Sequence, residues 1–341
     1  MPSLHEIDAL AKPDSWADLI AVVESDKTPF TSMLKKVAKP NQVVHQWQCK
    51  KFKNIGFNGV LDGKDATEFD SNQGQELVGV SQKVWYNVGV SDFMEEVATV
   101  AGVKGSHFNG QISEGIKVLS RSIEKRCLSN EDVSRDNGVS TANETRGILK
   151  WSDNNFATGY SVPNDFQTPE ANKYSGTMAN FFENDFSDQG ISCYKERKGP
   201  GKMDGFLGIE LKKRFTEFTS YQAPATASGP AVAGAVPVRR FNFGDGSTLT
   251  NIIDRLVLDS GTYDLHSTSF LRCDPVTGDD TAYTHKSGIF LDMDMVSLAY
   301  TRMPRVTKLD YQGGGHKAII DAIFMLTCDN PLTMLPVTIN N

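Results

Sequence analysis

The stretch SHFNGQISEGIKVLSRSIEKRCLSNED constrains this chain more than any other. Ile112, Ile116, Leu119 and Ile123 recur at steps of four, three and four, and Cys127 continues the row. Ser113, Lys117, Arg121, Glu124 and Lys125 occupy the opposite side. That spacing predicts an amphipathic helix over about 106–128, roughly 30 Å long, with the isoleucine row as its core face. A helix of that length needs a layer to lie on. An amphipathic helix by itself says nothing of function.

Strand signals surround it. HQWQCKKFK (45–53) and QKVWYNVGVS (82–91) read as two strands, joined by the polar, glycine-dotted NIGFNGVLDGKDATEFDSNQGQE. In the second, Val84, Tyr86, Val88 and Val90 share one face, and Trp85, Asn87 and Gly89 the other. The two are expected to pair as a long hairpin. Neither strand has both faces apolar, and a lone hairpin is marginal in water. Something outside the hairpin must cover it.

Before the hairpin, Trp16, Leu19, Ile20 and Val23 fall on one helix face, capped by Asp14 or Ser15. Pro29 breaks that pattern, Phe30, Met33 and Leu34 form a short apolar turn, and Pro40 closes the segment. Asp92 and Glu95 are placed to cap a short helix, DFMEEVATV. GFLGIELKKRFTEF and TLTNIIDRLVLDSG read as helices, and the Ala/Pro/Gly-rich 221–238 as a loop. Three strands follow in GIFLDMDMVSLAYTRM, RVTKLDY and AIIDAIFMLTCDNP. The pattern overall is an α+β chain.

Composition narrows the classes. The chain has 341 residues and a net charge of −7, with no Lys/Arg run longer than three. A dedicated nucleic-acid surface or polybasic membrane anchor is not expected. No apolar run approaches the ~20 residues of a membrane span, and no signal peptide is visible. The cysteines Cys49, Cys127, Cys193, Cys273 and Cys328 are scattered, odd in number and lack a C-x-x-C pair. Reduced thiols are expected, with no metal framework.

No catalytic constellation stands out. GPGKMDG (199–205) has the wrong spacing for a phosphate loop, and Pro200 removes an amide such a loop needs. Asp292 and Asp294 alternate onto one strand face, where a solvated face is the default reading. The six histidines are isolated in sequence. An enzyme would have to assemble its site from distant residues, with Asp292, Asp294 and His316 as the candidates. No cofactor, metal or catalytic residue is expected.

The order of these parts resembles a tailed-phage major capsid protein of the Hong Kong 97 type. DKTPFTSMLKK resembles the end of that family's N-terminal arm. The strands 45–53 and 82–91 resemble the limbs of its extended loop, and GQISEGIKVLSRSIEKRCL its spine helix. TRGILKW resembles a short element after the spine in one branch, and SGIFLDMDMVSLAYTRMPRV that branch's return from the axial domain. The resemblance spans roughly 20–335 and is weakest over 152–205 and 221–240.

It implies an arm at 1–40, an extended hairpin at 41–91 and a peripheral domain at 92–200. An axial domain at 201–303 and a return to the peripheral domain at 304–341 complete it. It also implies a shell of pentamers and hexamers around double-stranded DNA, without sequence-specific binding. Separate scaffolding, portal and decoration proteins are the implied partners; the Met1-Pro2 start leads us to expect any scaffold as a separate chain or as part of a precursor. The implied place is the virion, after synthesis in a host cytoplasm. Trp16, Phe30, Trp47, Phe52, Trp85 and Tyr86 are the expected contacts with neighbouring copies, since aromatic anchors dominate interfaces. An encapsulin-type compartment and a tail or baseplate protein are the alternatives.

Overall fold

The structure, a computed structural model, describes residues 28–37, 40, 42–52, 59, 61–65, 74–100, 107–218, 253–271, 286–311 and 313–339. Trp16 and its helix, the 221–238 stretch and Cys273 lie outside these residues.

The long helix, α3, runs His107–Cys127. Its first turn is held by Glu95 of α2 (Asp92–Val100), whose Oε2 accepts the Phe108 N–H at 3.1 Å. The Ser91 hydroxyl caps α2 instead of Asp92, accepting from the Met94 N–H. The core face of α3 is Phe108, Ile112, Gly115, Leu119 and Ile123, not the row through Ile116. Ile116 is 40% exposed. The reason is Gly115. A Cβ there would lie 2.6 Å from Ile320 Cδ1 and 2.9 Å from Tyr86 Cδ1, so helix and sheet touch where no side chain intervenes. That contact gives Gly115 the buried place expected of Ile116, while Ile112, Leu119 and Ile123 keep theirs. Glu124, expected outside, is wholly buried.

The sheet under α3 has the order β1-β10-β11-β4, from Lys35–Val37, Val296–Lys308, His316–Cys328 and Gln82–Val90. β1 is parallel to β10; the other pairs are antiparallel. The hairpin expectation is corrected here. β2 (Val44–Cys49) pairs with β3 (Gln75–Val80), while residues 82–90 form β4 and pair with β11, Trp85 opposite Asp321. Ser81 alone separates β3 from β4. Leu77 and Val80 of β3 are buried, so the hairpin has a core at its root. The flanking Gln75, Glu76 and Gly79 disguise that strand as loop.

The second sheet has the order β5-β12-β9-β6-β8-β7. Its strands are Tyr174–Gly176, Leu335–Ile339, Gly288–Leu291, Gly201–Leu207, Gly261–Ser267 and Arg255–Leu258. The helices α5 (Glu183–Arg197) and α6 (Ile209–Glu217) bury an aromatic cluster against it, with Phe186 and Phe290 ring centroids 4.7 Å apart. Two expected helices change. Gly208 splits GFLGIELKKRFTEF into β6 and α6, and residues 255–258 pair as a strand. Gly261, at φ 150°, lets that hairpin press on Gly201 O, 2.3 Å from where a Cβ would sit.

The described residues bury two apolar clusters, and Phe206, Ile289 and Leu291 of the second sheet join the cluster under α3 and the first sheet. β5 and α5, before residue 200, join the second sheet's core, and β10 belongs wholly to the first sheet. The turn after β9 carries the chain between them, and β12 carries it back.

Candidate assembly surfaces

The N-terminal segment is fastened to its own subunit. In α1 (Pro29–Met33), the N–H groups of Phe30 and Thr31 donate to the Glu124 carboxylate at 2.9 and 2.7 Å. Burial pushes that carboxyl up from its ordinary range, against the pull of those hydrogen bonds. Phe30 is wholly buried, edge-on to Phe206 at 5.0 Å. It is therefore a core residue here, not a free anchor for a neighbour, because the proline-started turn points it inward. β1 then adds to β10, and Lys35 reaches Asp294 at 2.6 Å.

The hairpin is rooted and projecting. Trp47 is half-buried beside Trp151, ring centroids 5.9 Å apart, so it belongs to the root. Past the ladder, Phe52 is 91% exposed. A turn follows at Leu61–Lys64, closed by Lys64 N–H to Leu61 O at 3.1 Å, with Leu61 79% exposed. Trp85 is 62% exposed on the outer face of β4, with the Lys83 ammonium 4.8 Å from its ring. Tyr86 lies on the opposite face, its ring against Gly115 and its edge open.

Behind the spine lies a cluster that residue patterns did not reveal. Arg146 is buried, its Nε donating to Asp132 Oδ1 at 2.7 Å and its guanidinium 4.6 Å from the Trp151 ring. Buried Arg126 donates to Thr145 O at 2.9 Å and pairs with Glu144 at 3.3 Å. The Thr145 hydroxyl accepts the Leu326 N–H at 3.1 Å. TRGILKW is thus a clasp joining the end of α3 to β11, with Ile148–Trp151 as the short helix α4. No periodicity or spacing marks either arginine: Arg126 follows Lys125, and Arg146 lies between Thr145 and Gly147.

The candidates for chemistry are separated. Asp292 and Asp294 sit in the turn before β10, not on a strand face, and bind Arg197 at 2.7 Å and Lys35 at 2.6 Å. His316 begins β11, whose far end is the one near that turn, about 40 Å away along the strand. Cys49, Cys127, Cys193 and Cys328 are free thiols. Burial lifts Cys49 and Cys193 to about 11, away from nucleophilic use. In GPGKMDG, Gly199 and Pro200 follow Lys198, the left-handed cap of α5, and the other five residues begin β6.

A strapped segment, a rooted hairpin, a long spine and two sheets make the fold of capsid-shell proteins. The Cyanophage P-SCSP1u capsid structure superposes with a TM-score of 0.61 at 10% identity, covering 98% of this chain and 94% of that one. The Gordonia phage Cozz structure gives 0.55 at 13%, covering 97% and 92%. The capsid of the native GTA particle gives 0.55 at 9%, covering 98% and 97%. No curated protein matches the chain by sequence. Residues 7–337 match the family described as SU10 major capsid protein, and the chain belongs to that family. Its fold class is the α+β Hong Kong 97 type, and its role is that of a virion structural protein.

Proposed function

We propose that this chain is the repeating, non-enzymatic subunit of an icosahedral phage head. Pentamers and hexamers of it enclose double-stranded DNA without reading its sequence. The observation that carries this is the hairpin. Its root is buried through Trp47, Leu77 and Val80, while Phe52 and Leu61 stand exposed beyond it. Apolar side chains held out on a rooted arm mark a surface meant for another chain. Heterologous contacts that close generate rings. On this reading the spine and four-stranded sheet are the peripheral domain, and the six-stranded sheet is the axial domain.

Phe52, Trp85 and the open edge of Tyr86 contact neighbours, with Trp16 on the arm. Separate scaffolding and portal proteins assist assembly in the host cytoplasm. A decoration protein is a further partner; a structure of phage G that contains major capsid and decoration proteins shares the fold, with a TM-score of 0.50 at 8% identity. The net charge of −7 suits a container that does not hold phosphates tightly.

The test is electron microscopy of the purified chain after size-exclusion chromatography. Closed shells, or rings of five and six, are expected. Tubes would move the reading to a tail protein, and shells filled with protein cargo to a compartment. A chain that stays monomeric with its neighbouring gene products present would overturn it.

A further inference from the structure

The described residues bury three carboxylates, Glu124, Asp204 and Asp321. Two of them face a basic group. Asp321 binds Arg302 and Arg305 at 2.6 and 3.1 Å, and Asp204 lies 3.1 Å from His266 Nε2. Glu124 is different. It is wholly buried, and its partners are neutral donors of one short segment: the Phe30 and Thr31 amides and the Thr31 hydroxyl. A buried charge without a counter-ion is costly, and neutral hydrogen bonds offset only part of that cost.

No cation among the described residues pairs with it. α1 has no titratable side chain. Just past α1, Lys35 of β1 is held by Asp294. On α3 itself, Arg121 packs on the Phe270 ring, Lys125 is adjacent in sequence and faces elsewhere, and Arg126 turns to Glu144 and Thr145 O. Glu95 of α2 sits at the other end of α3, on the Phe108 N–H. Cys127 feels the Glu124 charge, and burial holds that thiol well above its ordinary value. β10 brings Tyr300, pushed up to about 12 by burial and by Cys127. β4 turns Tyr86 to Gly115, about 14 Å back along the helix, and β11 turns Asp321 to the other face of the sheet. The second sheet reaches the contact through rings: Phe30 packs on Phe206, which stacks on His266.

The contact has two sides. With α1 down, Phe30 enters the core and Glu124 loses its water. With α1 lifted, both return to solvent. Burial holds the Glu124 carboxyl above its ordinary 4.5 while α1 is down, against the pull of its three hydrogen bonds. Water restores the ordinary value once α1 lifts. A group raised in the closed form binds more protons there. Closure is therefore strongest below about 4.5 and weakens as pH rises through the raised value. This is the reverse of a salt bridge, which acid breaks.

We infer that Glu124 and α1 form a proton-linked clasp: α1 closes on the spine as Glu124 takes a proton from solvent, and loss of that proton loosens it. The clasp belongs to the single subunit and needs no neighbour. It couples the burial of Phe30, and the tethering of the chain that precedes it, to pH.

Hydrogen exchange on the full-length, unassembled subunit tests it. The readout is the mass of the peptide that carries Phe30 and Thr31, corrected for the intrinsic pH dependence of exchange. Its protection, relative to a peptide from β11, should fall more than about threefold between about pH 5 and about pH 8. Glu124→Gln, which cannot ionise, should show no such fall. Thr31→Val removes one donor to the carboxylate and should move the fall to higher pH. Thr31 is only half-buried, so that variant keeps the test open if Glu124→Gln fails to fold. Protection that stays flat or rises with pH in the parent overturns the clasp. So does a fall that Glu124→Gln retains, which would belong to His266, or one that Thr31→Val leaves at the same pH.

Discussion

Phe30→Ala asks whether the N-terminal segment belongs to its own subunit. The ring is wholly buried and packs edge-on against Phe206, 5.0 Å away. The Phe30 N–H to Glu124 is a backbone bond and survives the substitution. What disappears is packing. Truncating a buried phenylalanine costs about 3–5 kcal/mol, and the aromatic pair places this one toward the upper end. At about 2 °C per kcal/mol for a large domain, the thermal midpoint should fall by roughly 6–10 °C. The assay is circular dichroism on the purified, unassembled subunit. An unchanged midpoint with failed assembly would refute the reasoning, because it would mean that Phe30 spends its apolar surface on a neighbour.

Four further outcomes are expected. Asp132→Ala strips buried Arg146 of its carboxylate and should cost about 3–5 kcal/mol, read as loss of soluble protein. Leu119→Ala should cost about 2–5 kcal/mol and Ile116→Ala under ~1, by urea titration; the reverse order would restore the isoleucine row as the core face. Trp85→Ala should leave stability within about 0.5 kcal/mol yet impair shell formation, seen by sedimentation. Hydrogen bonds from Arg255, then Lys202, hold Asp264 down at about 2 from an ordinary 3.8. A depressed carboxyl stabilises the fold above its unfolded pKa and loses that contribution as pH falls through its folded one. Asp264→Asn should therefore be less stable than the parent above about pH 4, and the thermal midpoints of the two should converge as pH approaches about 2.

The spine was legible because a helix writes its period along the chain, and its bounds follow from where that period stops. β11 was legible as an apolar, β-branched run, whereas GIFLDMDMVSLAYTRM, read as one strand, splits into β9 and the start of β10, and RVTKLDY, read as another, continues β10. Glu124 was misread because its periodicity places it on the wet side. Only the packing of α1 across the end of the helix supplies the two amides that bury it. β3 was hidden because half of it is polar or glycine, and its burial comes from lying over the core beneath.

The site divided in the same way. Phe52 and Trp85 look like anchors in sequence and are exposed in the fold, whereas Phe30 looks alike and is spent inside. Residue type alone cannot tell these apart. A surface groove beside Trp85 could not be read at all, since it gathers Val43, Lys83, Asp136, Thr301 and Ile323 from five separate parts of the chain.

What the sequence determined alone is local: helix or strand, the charge balance, the absence of familiar catalytic motifs, and an order of parts shared with capsid proteins. What the tertiary structure decided is which face each element buries and which strand it pairs with. Trp85 meets Asp321 across more than two hundred residues of chain. Gly115 takes the buried place expected of Ile116 because Ile320 and Tyr86 come close enough to exclude a Cβ. Periodicity reports that a face is apolar. Only contact between distant segments determines what covers it.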